Sequence, residues 1–337
     1  MRPDLAGALQ QVVSVITDHL AERPAADSPL LRFYFDALHF TRVLESFGDH
    51  SLFDVTVEPA SASASASASS NTNTTAAETS VLCLRNLVPA PFLKPRFAAA
   101  HTTTLFSATL NPVDYITDLL GLPDNTAHID VESPFEASQL RVEVARSVST
   151  RYPHRADSLA PIVALMAAQY ARAPGNYLAF FSSFDYLQQV AGLLRTTHPM
   201  LVVWEQSRAM DEAARAQFLA RFTPTSQGIG FAVLGGVFAE GIDLPGQRLI
   251  GAFIATLGLP QVNPVNEQVK ARLEHLFGSG RGHDYAYLYP GVQKVVQAAG
   301  RVIRSPTDHG VVVLIDDRYA RPQVQRLLPR WWALVPA

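Results

Sequence analysis

Runs of consecutive apolar residues recur along the chain after residue 138, and they alternate with stretches that have helical spacing. Val311 to Ile315 is one such run, and Leu249 to Ile254 is another. Strands that are apolar at nearly every position are typical of parallel sheets, because helices cover both faces of such a sheet. Parallel neighbours are joined by right-handed crossovers, usually through a helix. The pattern therefore predicts an α/β fold with a doubly wound parallel sheet.

The predicted elements follow each other with the regularity of an α/β protein. Strands are predicted at 140–146, 177–182, 200–204, 229–234, 249–255 and 311–315. Helices are predicted at 157–171, 184–196, 210–221, 265–278, 291–303 and 321–328.

The first third of the chain has a different character. Residues 1–57 have helical spacing and predict a helical segment, and residues 58–80 are an Ala/Ser-rich stretch of low complexity that predicts a flexible loop. Residues 81–137 hold two apolar runs, 81–84 and 103–106, that predict short strands around an Ala-rich helix. Residues 138–337 then form the predicted α/β domain.

Composition excludes several classes of protein. The single cysteine, Cys83, rules out a disulfide framework and an iron–sulfur cluster built by this chain alone, which needs four thiolates. No apolar signal region opens the sequence, and no apolar run is long enough for a membrane helix, so we expect a cytoplasmic protein without a membrane partner. The ten histidines show no metal-ligand spacing.

The segment from Gly291 to Arg304 carries the strongest functional pattern. Arg301 and Arg304 lie three positions apart at the end of a helical run, so both can face the same side. Gly300 leaves room for the close approach of another backbone, and Gln297 precedes it by three positions. A fixed pair of guanidinium groups suits the charge of a transferring phosphoryl group. A solvated basic helix face is the alternative.

A glycine-rich loop, residues 235–246, follows the strand predicted at 229–234. Its glycines allow tight turns and expose backbone N–H groups to an anion. Glu240 and Asp243 place carboxylates beside Gly241. A simple connecting loop is the alternative interpretation.

Hydroxyl pairs follow two of the predicted strands. Ser182 and Ser183 come between a strand and a helix, where they can cap the helix or contact an anion. Ser107 and Thr109 follow the run at 103–106. In open α/β sheets the carboxyl ends of strands are where ligands bind, although an ordinary strand exit fits as well.

Two nucleotide-binding motifs are missing from the sequence. No Gly-x-x-x-x-Gly-Lys-Ser/Thr phosphate loop occurs, and no Gly-x-Gly-x-x-Gly follows a strand, which argues against a dinucleotide enzyme. Asp211-Glu212-Ala213-Ala214 looks like the start of a DEAH box. The residues directly before it are Ser207-Arg208-Ala209-Met210 rather than a buried strand, and a helix follows. We therefore interpret Asp211 and Glu212 as first-turn acids of that helix.

Together, the segments at 107–112, 175–184, 235–246 and 291–304 resemble motifs III, IV, V and VI of superfamily 2 helicases. The chain resembles the C-terminal half of DinG-type helicases in the XPD-like branch, over roughly residues 81–332. The resemblance implies a RecA-like second motor domain at 138–337, a remnant of the first motor domain with motif III and a linker at 81–137, and an arch-like helical remnant before residue 57. The remnant strands at 81–112 would then lack their sheet.

The resemblance also implies roles and ligands. Such proteins are ATP-dependent DNA helicases that act in DNA repair and move 5′ to 3′ on single-stranded DNA. Arg301 and Arg304 would contact the γ-phosphate of ATP, and Gln297 would position the nucleotide or water. The residues that bind ATP or couple it to DNA would be Glu240, Gly241, Asp243 and Gly300. Single-stranded DNA would be bound by Ser182, Ser183, Ser107 and Thr109.

ATP and Mg²⁺ would be held mainly by a first motor domain, either missing from this chain or present as a separate chain. We therefore expect the chain alone to lack ATPase activity, as a truncation, a split gene product or a decayed helicase. The alternative is a non-enzymatic RecA-like module that binds single-stranded DNA or a partner protein.

Overall fold

A computed structural model describes residues 3–23, 28–59, 78–239 and 241–337 of the protein. The chain divides into two compact units. The first unit comprises Met1–Thr103, Thr117–Pro123 and Asn263–Gly282. The second comprises Thr104–Ile116, Asp124–Val262 and His283–Ala337.

The first unit begins with two helices, α1 (Pro3–Glu22) and α2 (Pro29–Glu45). The Ser28 hydroxyl caps α2 by accepting a hydrogen bond from the backbone N–H of Leu31 at 3.2 Å. The segment predicted as helical at 1–57 thus holds two helices, but its end is wrongly predicted, because residues 51–57 belong to a strand. The other elements of this unit are β1 (Ser51–Pro59), β2 (Glu78–Asn86), α3 (Ala90–Ala99) and α8 (Pro264–Phe277).

The strands β1 and β2 form an antiparallel pair, in which Val55 lies opposite Leu82. The run predicted as a strand at 81–84 is therefore a strand, and it pairs with β1 in a two-stranded sheet. The strand expected at 103–106 is absent, and Phe106 is exposed to solvent. No neighbouring strand among the described residues pairs with the backbone there. The predicted flexible loop at 58–80 lies largely in residues 60–77, outside the described residues.

The second unit contains a seven-stranded sheet in the order β5-β6-β4-β7-β8-β3-β9. Every neighbouring pair in it is parallel, so the predicted α/β fold class is confirmed. The strands are β3 (Leu140–Ala145), β4 (Asn176–Phe181), β5 (Val203–Glu205), β6 (Gly228–Val233), β7 (Gly251–Ala255), β8 (Gly310–Ile315) and β9 (Leu334–Pro336).

Helices cover both faces of this sheet. They are α5 (Arg155–Arg172), α6 (Phe184–Thr197), α7 (Glu212–Ala220), α10 (Tyr289–Ala299) and α11 (Pro322–Gln325). A short helix, α9 (Arg281–His283), and a π-helical stretch at Asp284–Leu288 precede α10. A further helix, α4 (Val113–Leu120), and three short 3₁₀ turns, Tyr152–His154, Gly246–Arg248 and Asp317–Ala320, complete the structure. None of the helices in the described ranges is long and apolar enough to span a membrane.

Alternate residues of the central strands enter two separate apolar clusters, one on each face of the sheet. In β4, Leu178 and Phe180 join one cluster, and Tyr177, Ala179 and Phe181 join the other. This two-sided burial explains why the strands read as unbroken apolar runs. The helix α10 packs on the first cluster through Val292, Val295, Ala298 and Ala299. The packing fixes the rotation of α10 and so determines where the residues that follow it lie.

Candidate functional site

The arginine pair follows α10 rather than ending it. The helix stops at Ala299, and Gly300 keeps a right-handed backbone with φ −64°. Short turns then continue, since the N–H of Arg301 donates to the carbonyl of Ala298 at 3.3 Å. The prediction that the helix runs to residue 303 is therefore wrong. Val302 and Ile303 are buried, while Arg304 is exposed.

Both arginines nevertheless reach the same loop. The Arg301 side chain donates from Nε to the carbonyl of Ala239 and from a terminal nitrogen to that of Ile242, each at 3.2 Å. The Arg304 Nε donates to Asp243 Oδ1 at 2.9 Å. The terminal nitrogens of Arg304 make no hydrogen bond with any residue that the structure describes. Glu240 lies outside the described residues.

The three remaining predicted residues of this site behave differently from one another. Gly241 has φ +72° and is exposed, so the backbone conformation itself favours glycine there. A Cβ added at Gly300 would meet the carbonyl oxygens of Val296 and Gln297, which belong to the helix that precedes Gly300. The close approach expected at Gly300 is thus not found within the described part of the chain. Gln297 is half-buried and has no hydrogen-bond partner there.

Asp308 is a residue of this site that the sequence analysis missed. Its carboxylate accepts hydrogen bonds from the backbone N–H groups of Arg304 and Ser305 and from the Ser305 hydroxyl, all at 2.8 Å. Burial alone would raise the pKa of Asp308, but these hydrogen bonds outweigh it and hold the pKa below its ordinary value. The turn-forming sequence Ser-Pro-Thr-Asp was the available signal. Asp308 therefore fixes the backbone that carries Arg304.

We expect Asp308→Ala to lower the free energy of unfolding by about 1–3 kcal/mol, because the Arg304 and Ser305 N–H groups lose their acceptor. Urea denaturation at neutral pH measures this. Since the folded pKa is depressed, the contribution of Asp308 is present above its unfolded pKa and disappears as the pH falls through the folded pKa. An unchanged urea midpoint for the variant would contradict the role of Asp308 as a clamp.

The serines after β4 divide between two structural roles. The Ser183 hydroxyl caps α6 by accepting from the N–H of Tyr186 at 3.3 Å. Ser182 is exposed and accepts a hydrogen bond from a terminal nitrogen of Arg155 at 2.9 Å. The Arg155 guanidinium lies 5.0 Å from the ring centre of Tyr186. Sequence reasoning did not anticipate the Arg155 contact, which joins residues 27 positions apart.

The segment that resembles motif III lies against α10 instead of at a strand tip. Ser107 and Thr109 contact each other through their hydroxyls at 3.2 Å, and Ser107 is exposed while Thr109 is half-buried. The Gln293 side chain of α10 donates to the carbonyl of Thr109 at 3.3 Å. The structure therefore places Ser107 and Thr109 beside the helix that precedes the arginines.

The segment at 211–214 that looks like the start of a DEAH box begins a helix, as predicted. The Asp211 carboxylate caps α7 by accepting from the N–H of Ala214 at 2.8 Å, and Glu212 lies in the first turn. Among the described residues, no group of three or more His, Cys, Asp or Glu side chains is placed to hold a metal ion.

A buried ion pair stabilises the carboxyl edge of β8. Asp316 is fully buried, and its carboxylate accepts from Arg318 Nε at 2.6 Å, from the N–H of Thr150 at 3.1 Å and from the Thr150 hydroxyl. Burial by itself raises the pKa of Asp316, but the hydrogen bonds and the charge of Arg318 lower it further than burial raises it. This cluster ties β8 to the loop after β3.

Comparison with known proteins agrees with this architecture. The family model of the helicase C-terminal domain matches residues 166–334. The chain is 27% identical over 256 residues to the XPD helicase subunit of general transcription and DNA repair factor IIH from Dictyostelium discoideum, covering 71% of this chain and 33% of that protein. It is 28% identical over 265 residues to the ATP-dependent DNA helicase chl-1 from Caenorhabditis elegans, covering 73% and 32%.

A solved XPD helicase superposes with a TM-score of 0.60 at 19% identity, over 76% of this chain and 46% of that one, which supports the fold. The chain spans about a third of the length of the curated relatives it matches. The family match covers half of the chain, and it includes the glycine-rich loop and the arginine pair. The chain therefore belongs to the helicase C-terminal domain family, as the C-terminal half of an XPD-like superfamily 2 helicase.

Proposed function

We propose that this chain is the second motor half of an ATP-dependent DNA helicase and supplies arginine fingers to an ATP site. The observation that carries the proposal is the convergence of Arg301 and Arg304 on the loop at residues 239–243. A guanidinium with unused N–H groups at the edge of an exposed loop suits a phosphate placed against it. Arg304 offers such groups, and Arg301 holds the loop in position.

The phosphates and Mg²⁺ would be held by a first motor domain, on the same polypeptide or on another. The sequence contains no phosphate loop, and the described carboxylates offer no cluster for the metal. Gln297, half-buried next to the arginines, would orient the nucleotide or the attacking water. Glu240, Gly241 and Asp243 would couple this site to DNA, and Gly300 would leave space for the opposing domain.

Single-stranded DNA would cross the carboxyl edge of the sheet, where Ser182 is exposed and Ser183 presents the start of α6. Ser107 and Thr109 would relay between DNA and the arginines, because Gln293 connects their segment to α10. We propose 5′ to 3′ movement in DNA repair in the cytoplasm by analogy with the family. A cluster with four thiolates does not fit this chain, whose single cysteine lies in β2.

ATP hydrolysis by the isolated chain tests whether turnover requires a first motor domain. We expect negligible steady-state phosphate release from ATP, with or without single-stranded DNA, because the sequence has no phosphate loop to hold the triphosphate. Addition of a first motor domain from the XPD-like branch is expected to restore DNA-stimulated release. Robust turnover by the chain alone, abolished by Arg301→Ala, would contradict the proposal.

The alternative function is a non-enzymatic module that binds single-stranded DNA or a partner protein. The arrangement of Ser182 and Arg155 at the sheet edge is the feature that favours DNA binding in either case. Salt-dependent DNA binding together with no stimulation by any first motor domain would favour the module over the helicase half.

A further inference from the structure

We infer that Lys294, together with the backbone N–H of Gly235, binds a backbone phosphate of single-stranded DNA. The inference rests on the proposed function, since it takes DNA as the ligand. Lys294 lies within the segment 291–304 that resembles motif VI, but the resemblance implies no role for it. It lies in α10, two helical turns before the arginine pair.

The side chain of Lys294 lies across the exit of β6. A Cβ added to Gly235 would be 3.3 Å from Lys294 Cδ and 3.6 Å from Nζ, so the ammonium group lies next to the glycine backbone. Gly235 has φ +79° and is exposed. Lys294 is half-buried and makes neither an ion pair nor a hydrogen bond with the described residues. Its charge is therefore held in place without a counter-ion from that part of the chain.

Further donors surround the same point. The N–H of Gly235 makes no hydrogen bond to any acceptor in the described ranges. Gln206 accepts from the N–H of Val233 at 2.9 Å through Oε1, which orients its amide, and Nε2 lies 3.5 Å from a Cβ built at Gly236. An ammonium, a backbone N–H and an amide N–H are all donors, and a phosphate oxygen accepts from each of them.

The position of this group favours a DNA phosphate over the phosphates of ATP. The arginines contact the loop at residues 239, 242 and 243, whereas Lys294 lies against Gly235 at the exit of β6. The two basic groups therefore face different parts of the glycine-rich loop. Gly235 lies next to Ser182, since β4 and β6 are neighbours and the N–H of Leu234 donates to the carbonyl of Phe181 at 2.9 Å.

The test is the salt dependence of binding of a fluorescent oligodeoxythymidylate to the full chain, measured by anisotropy. Lys294→Met keeps the apolar stem over Gly235 and removes the charge. We expect it to lower the affinity several-fold at low salt and to make the slope of log K against log salt less steep by about 0.7, the value for one phosphate contact on a single strand. Lys294→Arg is expected to retain the slope. Lys270→Met is the matched control, because Lys270 pairs with Glu267 at 3.0 Å on α8.

Each result decides the inference. An unchanged slope for Lys294→Met, with normal binding by the wild type, overturns the inference and leaves the proposed function intact. Absence of DNA binding by the wild-type chain overturns both. A fluorescent ATP analogue is titrated in parallel. Binding of the analogue by the wild-type chain that Lys294→Met abolishes, with an unchanged DNA slope, would assign the phosphate to the nucleotide and also overturn the inference. Equal melting temperatures for the three Lys294 forms establish that the fold is retained.

Discussion

Arg304→Ala is expected to reduce ATP turnover by about 10³–10⁵-fold in a helicase assembled from this chain and a first motor domain, which is the size of effect seen for arginine fingers. The loss should appear in kcat more than in KM, because a finger stabilises charge that develops in the transition state. Phosphate release at saturating single-stranded DNA measures both constants. The terminal nitrogens of Arg304 are the ones available for this contact.

The stability of the variant should hardly change. The pair between Arg304 and Asp243 is largely exposed, and such pairs contribute about 0–1 kcal/mol. Arg330→Ala is a matched control, because Arg330 also forms an exposed pair, with Asp130 at 3.3 Å. A variant at position 304 that hydrolyses ATP as fast as the Arg330 control would refute the assignment of Arg304 as a finger.

Asp316→Ala is expected to lower the free energy of unfolding by about 3–5 kcal/mol, because it leaves the Arg318 guanidinium buried without its carboxylate. The Arg318 side chain is 15% exposed and that of Asp316 is fully buried. The Thr150 N–H and hydroxyl also lose their acceptor. Urea denaturation followed by tryptophan fluorescence measures the change.

The adjacent ion pair provides an internal control for Asp316. Asp317 pairs with Arg151 at 2.7 Å, but both side chains are about one-third exposed, so Asp317→Ala should cost about 0–1 kcal/mol. The depressed pKa of Asp316 means that its contribution is present above the unfolded pKa and is lost as the pH falls through the folded value. The difference between wild type and Asp316→Ala should therefore shrink in acid. Equal destabilisation by both variants at neutral pH would contradict the buried-pair account.

The parallel sheet was predictable because its signal is local and repeated. Each central strand is apolar on both faces, and that pattern survives any reasonable choice of boundaries, as in β8. The strand β1 was not predicted although Phe53, Val55 and Val57 alternate with polar residues, because the helical spacing of the preceding residues was extended to residue 57. The run at 103–106 looked like a strand, but a strand also needs a neighbour with free backbone groups, and sequence does not reveal one.

The arginine pair was also predictable, whereas its supports were not. Val302 and Ile303 continue the helical spacing of α10, so the sequence alone gives no reason for the helix to stop at Ala299. The carboxylate of Asp308 accepts hydrogen bonds from the backbone N–H groups of Arg304 and Ser305, and this favours a turn at Arg304. Arg155 and Lys294 were missed for a related reason, because their neighbours Ser182 and Gly235 are distant in sequence.

The central claim is that the arginines stabilise the transition state of phosphoryl transfer from ATP. It is tested most directly by the affinity of the assembled helicase for ADP with aluminium fluoride, which mimics the transferring phosphoryl group, relative to ADP alone. We expect wild type to prefer the complex with aluminium fluoride strongly, and Arg304→Ala to lose most of that preference while binding ADP normally. An undiminished preference in the variant would contradict the account.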